Sequence, residues 1–318
     1  NTAFMENKIL ILGASGQIGT ELTLKLRQIY GNTSVIASDI RNGNYEVMES
    51  GPFEIVDATD KKELLKVIQK HGIKEVYLLV AMLSAIAEKN PQKAWELNMK
   101  TLFNVLDIAK DKHISKVFWP SSIAVFGPGS PKIKTPQNTV MNPSTVYGIS
   151  KLAGEQWCAY YFNKFGVDFR TIRYPGIISY KTNPGGGTTD YAVEIFFGAL
   201  QNKSYESFLS ENTTLPMMYM DDALNATIRL MDRDRFNEYT AYNLAAISFS
   251  PKEIAAAIQK YIPDFRMSYK ADMRQHIADS WPKSIDDSVA RKDWNWYHEF
   301  DLDKMARAML DGLHYVAR

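Results

Sequence analysis

The chain has 318 residues, 45% of them hydrophobic and 23% charged, with a formal net charge of +1. That length suits a large domain with a smaller companion and ample material for a core, and the near-neutral balance, without a basic tail or block of like charge, excludes nucleic acid and an anionic membrane as evident partners. The single cysteine, Cys158, excludes a disulfide within the chain and reads as a small core residue in a reducing compartment, while the five scattered histidines lack ligand spacing, so no metal site is expected. No apolar run approaches the ~20 residues that span a bilayer. Asn1-Thr2-Ala3-Phe4 ahead of Met5 does not resemble a secretory signal, so a cytoplasmic location is expected, or a mitochondrial matrix if a transit peptide was removed.

Residues 8–12, Lys-Ile-Leu-Ile-Leu, are a short continuous apolar run of the kind a buried parallel strand shows. Gly13, Gly16 and Gly19 follow at three-residue steps, and then Leu22, Leu26 and Ile29 recur at helical spacing. Glycines between a strand and a helix permit a tight turn and close approach to a pyrophosphate on the helix N-terminus. Gly13, Ser15, Gly16, Gln17, Ile18 and Gly19 are therefore candidate dinucleotide contacts. A second strand at 34–38 ends in Asp39, where an acid binds adenine-ribose hydroxyls and repels a 2′-phosphate. NAD is expected over NADP, a preference that the nearby Arg41 softens.

Residues 53–57 read as a third strand, with Asp57 and Ala58 at its carboxyl end as candidate adenine contacts. A helix at 61–71 turns Leu64, Leu65, Val67 and Ile68 inward, and a fourth strand at 75–80 leads to Ala81 and Ser84. A long helix at 91–112 and a fifth strand at 116–119 bring the chain to Pro120-Ser121-Ser122. This alternation predicts an α/β fold, a Rossmann-type doubly wound parallel sheet whose ligands sit at the strands' carboxyl ends. Ser121 and Ser122 fall there, and a hydroxyl at that place can hold a substrate oxygen beside Tyr147.

Tyr147 lies in the stretch 144–151, Ser-Thr-Val-Tyr-Gly-Ile-Ser-Lys, which opens a helix running to 165. Tyr147 and Lys151, four positions apart, face one side of that helix. A free phenol titrates near pH ~10, and a neighbouring ammonium favours the phenolate. The pair can thus act as a general base on an alcohol, the device that a zinc-free alcohol dehydrogenase needs.

From 174 to 191 the chain is rich in Gly and Pro and carries Thr182, Thr188 and Thr189, which predicts a lid-like loop. A small polar substrate suits it, its carboxylate bonding to Thr188 and to backbone amides about Gly187. Helices at 190–200, 222–231, 251–261 (with Ser250 as N-cap) and 301–315, joined by short strands near 217–219, 242–244 and 267–269, make a smaller mixed α/β substrate domain. The division expected is 5–180 for NAD and 181–318 mainly for substrate, with some later segments returning to the first. Trp281 reads either as a cover for the site or as core, and Trp294, Trp296 and Tyr297 read as core.

Gly13-x-x-Gly16-x-x-Gly19, Asp39, the segment 121–127 (Ser-Ser-Ile-Ala-Val-Phe-Gly) and Tyr147-x-x-x-Lys151 together resemble the extended short-chain dehydrogenase/reductases. The segment 171–176 (Thr-Ile-Arg-Tyr-Pro-Gly) resembles that family's strand and turn beneath the nicotinamide, which brings in Tyr174 and Gly176 as cofactor contacts. Segments 184–191, 215–220 and 280–288 are similar to those of the short-chain-type L-threonine 3-dehydrogenases, so that the resemblance extends over nearly the whole chain. It implies NAD-dependent oxidation of L-threonine to 2-amino-3-ketobutyrate. Carried onto this sequence, it makes Tyr147 the base for the 3-hydroxyl and gives Lys151 the tasks of lowering the phenol's pKa and holding the nicotinamide ribose. Ser122 aligns with the family's active-site Ser/Thr, and Ser121 is a backup or a contact to the substrate carboxylate. The stretch Leu79-Val80-Ala81-Met82-Leu83-Ser84 departs from the more usual Ala-Ala ending, which leaves Ala81 to serve the cofactor through its backbone and makes Ser84 a candidate substrate contact. The resemblance also implies a homodimer through helices 91–112 and 147–165, to which Trp157, Tyr160 and Tyr161 bring interface-type aromatics. Two other readings stay open: a nucleotide-sugar epimerase or dehydratase sharing the cofactor half, and a non-catalytic NAD-sensing protein, a class that typically lacks the Tyr/Lys pair.

Overall fold

In the computed structural model, which describes residues 7–316, the first strand β1 (Lys8–Leu12) is buried from Ile9 to Leu12, as a strand covered on both faces must be. The reading of the residues before Met5 falls outside the described residues. After the glycine turn come α1 (Gln17–Tyr30), β2 (Val35–Asp39), α2 (Tyr45–Glu49), β3 (Phe53–Ile55), α3 (Lys61–His71) and β4 (Ile73–Leu78). Next are α4 (Ser84–Lys89), α5 (Pro91–Lys110), β5 (Lys116–Phe118), β6 (Ser121–Ser122), α6 (Val146–Phe165) and β7 (Asp168–Tyr174). The rest begins with β8 (Gly176–Ile178), α7 (Tyr191–Asn202), β9 (Ser204–Ser207), β10 (Leu215–Tyr219), α8 (Met220–Met231) and β11 (Ala241–Asn243). It ends with β12 (Ile247–Phe249), α9 (Pro251–Gln259), β13 (Arg266–Tyr269), α10 (Met273–Ser280), α11 (Ser288–Trp294) and α12 (Leu302–Val316).

The large sheet runs β11-β7-β5-β4-β1-β2-β3, with parallel pairing throughout and β6 attached beside β7. The chain steps from β1 through β2 to β3, then crosses to β4 and steps the other way. A crevice opens at that reversal, outside the carboxyl ends of the strands. Alternate side chains of β1 face opposite layers. Ile9 and Ile11 pack with Leu22 and Leu26 of α1 and Ala226 and Leu230 of α8. Leu10 and Leu12 pack with Leu64 of α3, Leu102 and Val105 of α5 and Cys158 of α6. Each fully buried aliphatic side chain contributes about 1.5–3 kcal/mol.

A third core joins Phe196 of α7, Phe249 of β12, Ile254 of α9 and Met305 and Met309 of α12 to residues 123–126, which follow the β6 turn. It stands on two small sheets, β12-β10-β8 and β13-β9. Ser250 caps α9 in a reciprocal box with Glu253, each side chain accepting the other residue's backbone N–H, an arrangement worth about 1 kcal/mol.

Several expectations shift. β4 starts and ends two residues earlier than the apolar run indicated, because Ile73, 1% exposed, already pairs with Lys8 of β1. Residues 79–83 are therefore loop, and α4, too short for a period to announce, begins at Ser84. The strand near 242–244 is β11, at the edge of the large sheet beside β7 rather than in the smaller part. Trp294 and Trp296 are core, but Tyr297 is 51% exposed and belongs to the surface. Among the described residues no helix is long and apolar enough to cross a membrane.

Candidate active site

The turn after β1 hangs from β2, with the Gly13 and Ala14 N–H groups donating to the Ser38 carbonyl at 2.9 Å each. Gly13 has φ +93°, where L side chains rarely go, and a Cβ there would meet Leu79 C and Val80 N at 3.1 Å. A Cβ at Gly19 would stand 2.0 Å from the Gly13 carbonyl oxygen, so α1 starts hard against the end of β1. Its N-cap, Gly16, supplies no side-chain cap. Bare amides and the positive end of a helix thus open onto the crevice, a fit for a pyrophosphate.

Asp39 is fixed at the rim, its Oδ2 accepting the Ser15 N–H at 3.0 Å and its Oδ1 the Ile40 N–H at 2.8 Å. β3 stops at Ile55, and the exposed Asp57 carboxylate turns onto its own chain, accepting the Thr59 N–H at 2.8 Å and hydroxyl at 2.7 Å. The Ala58 carbonyl accepts from Asn104 at 2.9 Å.

A cavity of about 340 Å³ occupies the crevice. Of the expected cofactor contacts, Gly13, Gly16, Gln17, Ile18, Gly19, Ala81, Tyr147, Lys151, Tyr174 and Gly176 line it; Ser15, Asp39, Asp57 and Ala58 do not. All the expected catalytic and substrate contacts do: Ser84, Ser121, Ser122, Tyr147, Lys151, Gly187, Thr188 and Trp281. Trp281, 5% exposed, is at once a wall of the cavity and part of the third core.

Thr145 caps α6 by accepting the Gly148 N–H at 3.0 Å, and the next turns carry Tyr147 and Lys151. Lys151 is 4% exposed and donates to the Pro120 carbonyl at 2.5 Å, its ammonium 4.5 Å over the Trp119 ring and 5.6 Å from the centre of the Tyr147 ring. Burial brings the ammonium down to about 7. Burial likewise pushes the Tyr147 phenol up to about 12, against the pull of its hydrogen bond with Ser122. Burial is thus the larger influence on Tyr147, and the Lys151 ammonium gives its hydrogen bond to Pro120.

Ser121 and Gly187 are both engaged within the chain. The Ser121 hydroxyl donates to Glu155 Oε1 at 2.6 Å, which commits its one hydrogen. Gly187 gives its N–H to Asp190 Oδ2 at 2.7 Å, beside the Gly186 N–H at 2.9 Å. In the sequence Asp190, an acid before an apolar helix, reads only as a helix start. It lines the cavity, and burial pushes it up to about 6. Ser84 and Thr188, both buried, share one hydrogen bond of 3.1 Å, which leaves one of their two hydroxyl hydrogens free. Asn98, also unanticipated, bonds to both the N–H (2.8 Å) and the carbonyl (3.3 Å) of Met82 and so holds the loop after β4.

Residues 9–245 match the NAD dependent epimerase/dehydratase family, and the chain belongs to it. NAD is its cofactor. The GalE-like L-threonine dehydrogenase of Cupriavidus necator in its holo form superimposes with a TM-score of 0.93 at 54% identity, over 96% of this chain and 99% of that one. A monomeric L-threonine 3-dehydrogenase of metagenomic origin, in its apo form, gives 0.93 at 48% identity over 98% and 100% of the two chains. An uncharacterized epimerase/dehydratase of Staphylococcus saprophyticus is 48% identical over 310 residues, 96% of this chain and 97% of the relative.

Proposed function

We propose that the protein is an NAD-dependent dehydrogenase that oxidises L-threonine at its 3-hydroxyl to 2-amino-3-ketobutyrate. One observation carries the reading. The cavity that holds Tyr147 and Ser122 is walled by the Asp190 carboxylate and the Ser84 and Thr188 hydroxyls, and its cations among the described residues are Lys151 and Arg41. A compact hydroxylated zwitterion finds there an acceptor for its ammonium and a donor for its carboxylate. A sugar diphosphate calls for cations beyond one beside Tyr147 and one that follows Asp39. The likeness to threonine dehydrogenases over nearly the whole chain supports the same choice.

In this reading the amides of Gln17 and Ile18, at the start of α1, hold the pyrophosphate, Asp39 the adenine ribose and Lys151 the nicotinamide ribose. NAD, when bound, supplies the hydride acceptor. Ser122 orients the substrate 3-hydroxyl toward Tyr147, and Tyr147 takes its proton at Oη. Lys151 favours the phenolate while it remains an ammonium. Asp190 receives the substrate ammonium, the free hydrogen of the Ser84–Thr188 pair goes to the carboxylate, and Trp281 keeps water out.

The test is NADH formation by the purified protein with NAD and L-threonine in the presence of a chelator, with a UDP-hexose in parallel. NADH accumulating with threonine supports the dehydrogenase. Conversion of the UDP-hexose without net NADH, and silence with threonine, would move the protein to the epimerases. A homodimer through α5 and α6 is the companion reading, supported by Trp95, Trp157, Tyr160 and Phe165, which stand 39–45% exposed on those helices. One relative is monomeric, and a monomer mass by light scattering would remove the dimer.

A further inference from the structure

Tyr147, Lys151 and Glu155 stand four residues apart on α6 and share one face. Three consecutive residues of the facing turn meet them. Ser122 bonds with Tyr147, the Pro120 carbonyl accepts from Lys151 at 2.5 Å, and Ser121 donates to Glu155 at 2.6 Å. The middle residue of the turn is thus gripped by the last residue of the stripe. Glu155, 3% exposed, is seated in turn by Arg173, whose Nε reaches Oε1 at 2.9 Å and whose Nη2 reaches Oε2 at 2.8 Å. Arg173 lies opposite Ser121 in the β6–β7 pairing, and its Nη1 donates to the Gln137 carbonyl at 2.9 Å and to Asn243 Oδ1 at 3.1 Å.

A buried ion pair is weak evidence for stability, since apolar residues of the same volume often serve as well or better. This one has a definite geometric consequence. β6 is two residues long, and the Ser122 hydroxyl is tied to the turn's own backbone by the Ala124 N–H at 3.1 Å. Where Ser122 stands therefore follows where the turn stands.

We propose that Glu155, seated by Arg173, is a positioning residue for the base: through Ser121 it sets where the Ser122 hydroxyl and the Pro120 carbonyl lie, and hence what Tyr147 and Lys151 bond to. The inference deepens the dehydrogenase reading and rests on it for the role of Tyr147 in turnover. The geometry it invokes does not depend on the substrate. Around Glu155 the other titratable groups are Lys151, Cys158 and Tyr239, and burial holds the last two neutral. Those facing the cavity with Tyr147 are Lys151, Tyr174, Asp190 and Arg41, and removal of the Ser121 hydroxyl alters none of them directly.

The experiment compares the NAD-saturated wild type with Ser121→Ala, using Tyr147→Phe as the reference. Phenolate absorbance is titrated in each, and the difference from Tyr147→Phe isolates the Tyr147 phenol. The expected result is an apparent pKa of Tyr147 about one higher in Ser121→Ala, tenfold less phenolate at a given pH below it. With it comes a roughly tenfold lower kcat at unchanged NAD affinity and a modestly lower melting temperature, since a buried carboxylate loses one donor; displacements of about 1 Å cost such reactions up to ~100-fold. A Tyr147 titration and kcat like those of the wild type would overturn the proposal. So would a lower melting temperature with the titration unmoved, which marks a purely structural bond. Should the wild type form no NADH from L-threonine, the dehydrogenase reading falls, while the Tyr147 titration still decides the positioning role.

Discussion

The two walls of the cavity are built differently. On the cofactor side the glycine turn is hung from β2 by backbone bonds and pressed against α1 with no room for a Cβ at Gly19. The α6 stripe beside it is tied to the β6 turn at each of its three steps. On the substrate side, residues 181–189 are mostly exposed or half-buried, and their polar ties to the cavity wall include Asp190 to the Gly186 and Gly187 amides, Ser84 to Thr188 and a long bond of 3.5 Å from the Thr182 hydroxyl to the Gln17 carbonyl. The first wall is set before any ligand arrives. The second depends on a few polar bonds whose groups would also serve the substrate. Changes in the first should act on kcat or on cofactor choice, and changes in the second on the KM for threonine.

The largest effect expected is from Tyr147→Phe, which removes the base and should lower kcat by about 10²–10⁴-fold. NAD affinity by calorimetry should stay within about twofold, since the glycine turn, Asp39 and Lys151 are untouched; a variant retaining most of its rate would sink the assignment. Asp190→Asn comes next. It keeps an acceptor for one loop amide and loses the charge, and charged hydrogen bonds are worth about 1.5–3 kcal/mol, so kcat/KM for threonine should drop about 10–100-fold, mostly through KM. In the wild type the same loss should appear as the pH falls through about 6, where Asp190 takes up its proton. A KM that stays flat across that range would break the contrast between the walls.

Asp39→Asn should relax the preference for NAD over NADP by about tenfold, the scale of one surface-side charge repulsion of roughly 1.4 kcal/mol. The ratio of kcat/KM for the two cofactors measures it, and an unchanged ratio would take Asp39 out of cofactor choice.

An effect on stability alone, with turnover unchanged, belongs to Glu21 of α1, where the cofactor helix meets the start of the substrate loop. Its carboxylate accepts from Ser179 and lies 3.9 Å from Lys181. Burial raises it from 4.5 to about 6. A raised carboxylate pKa means that the folded protein keeps a proton which the unfolded chain gives up, so this group's contribution to stability declines as pH rises from 4.5 to about 6. Glu21→Gln should remove that decline, at most about 2 kcal/mol. Its melting temperature, compared with that of the wild type, should gain as pH rises through the window, and a constant difference would show that Glu21 is not titrating there.

What could be read along the chain is what neighbours in sequence decide. The apolar run at 8–12, the glycine steps at 13, 16 and 19, the Ser250 cap and the four-residue spacing of Tyr147 and Lys151 are local patterns with local physical causes, and each has its expected element. They were sufficient for the doubly wound sheet and for most of the residues around the cavity. Tertiary structure alone decided which distant groups meet: Ser84 with Thr188, 104 residues apart, Ser121 with Glu155, 34 apart, and β11 with β7. It also decided the direction in which Tyr147 is shifted. Spacing supplied a nearby ammonium, but the folded chain supplied the burial and a carbonyl at Pro120 for that ammonium to hold. Desolvation depends on everything packed around a group, and no window of sequence contains that information.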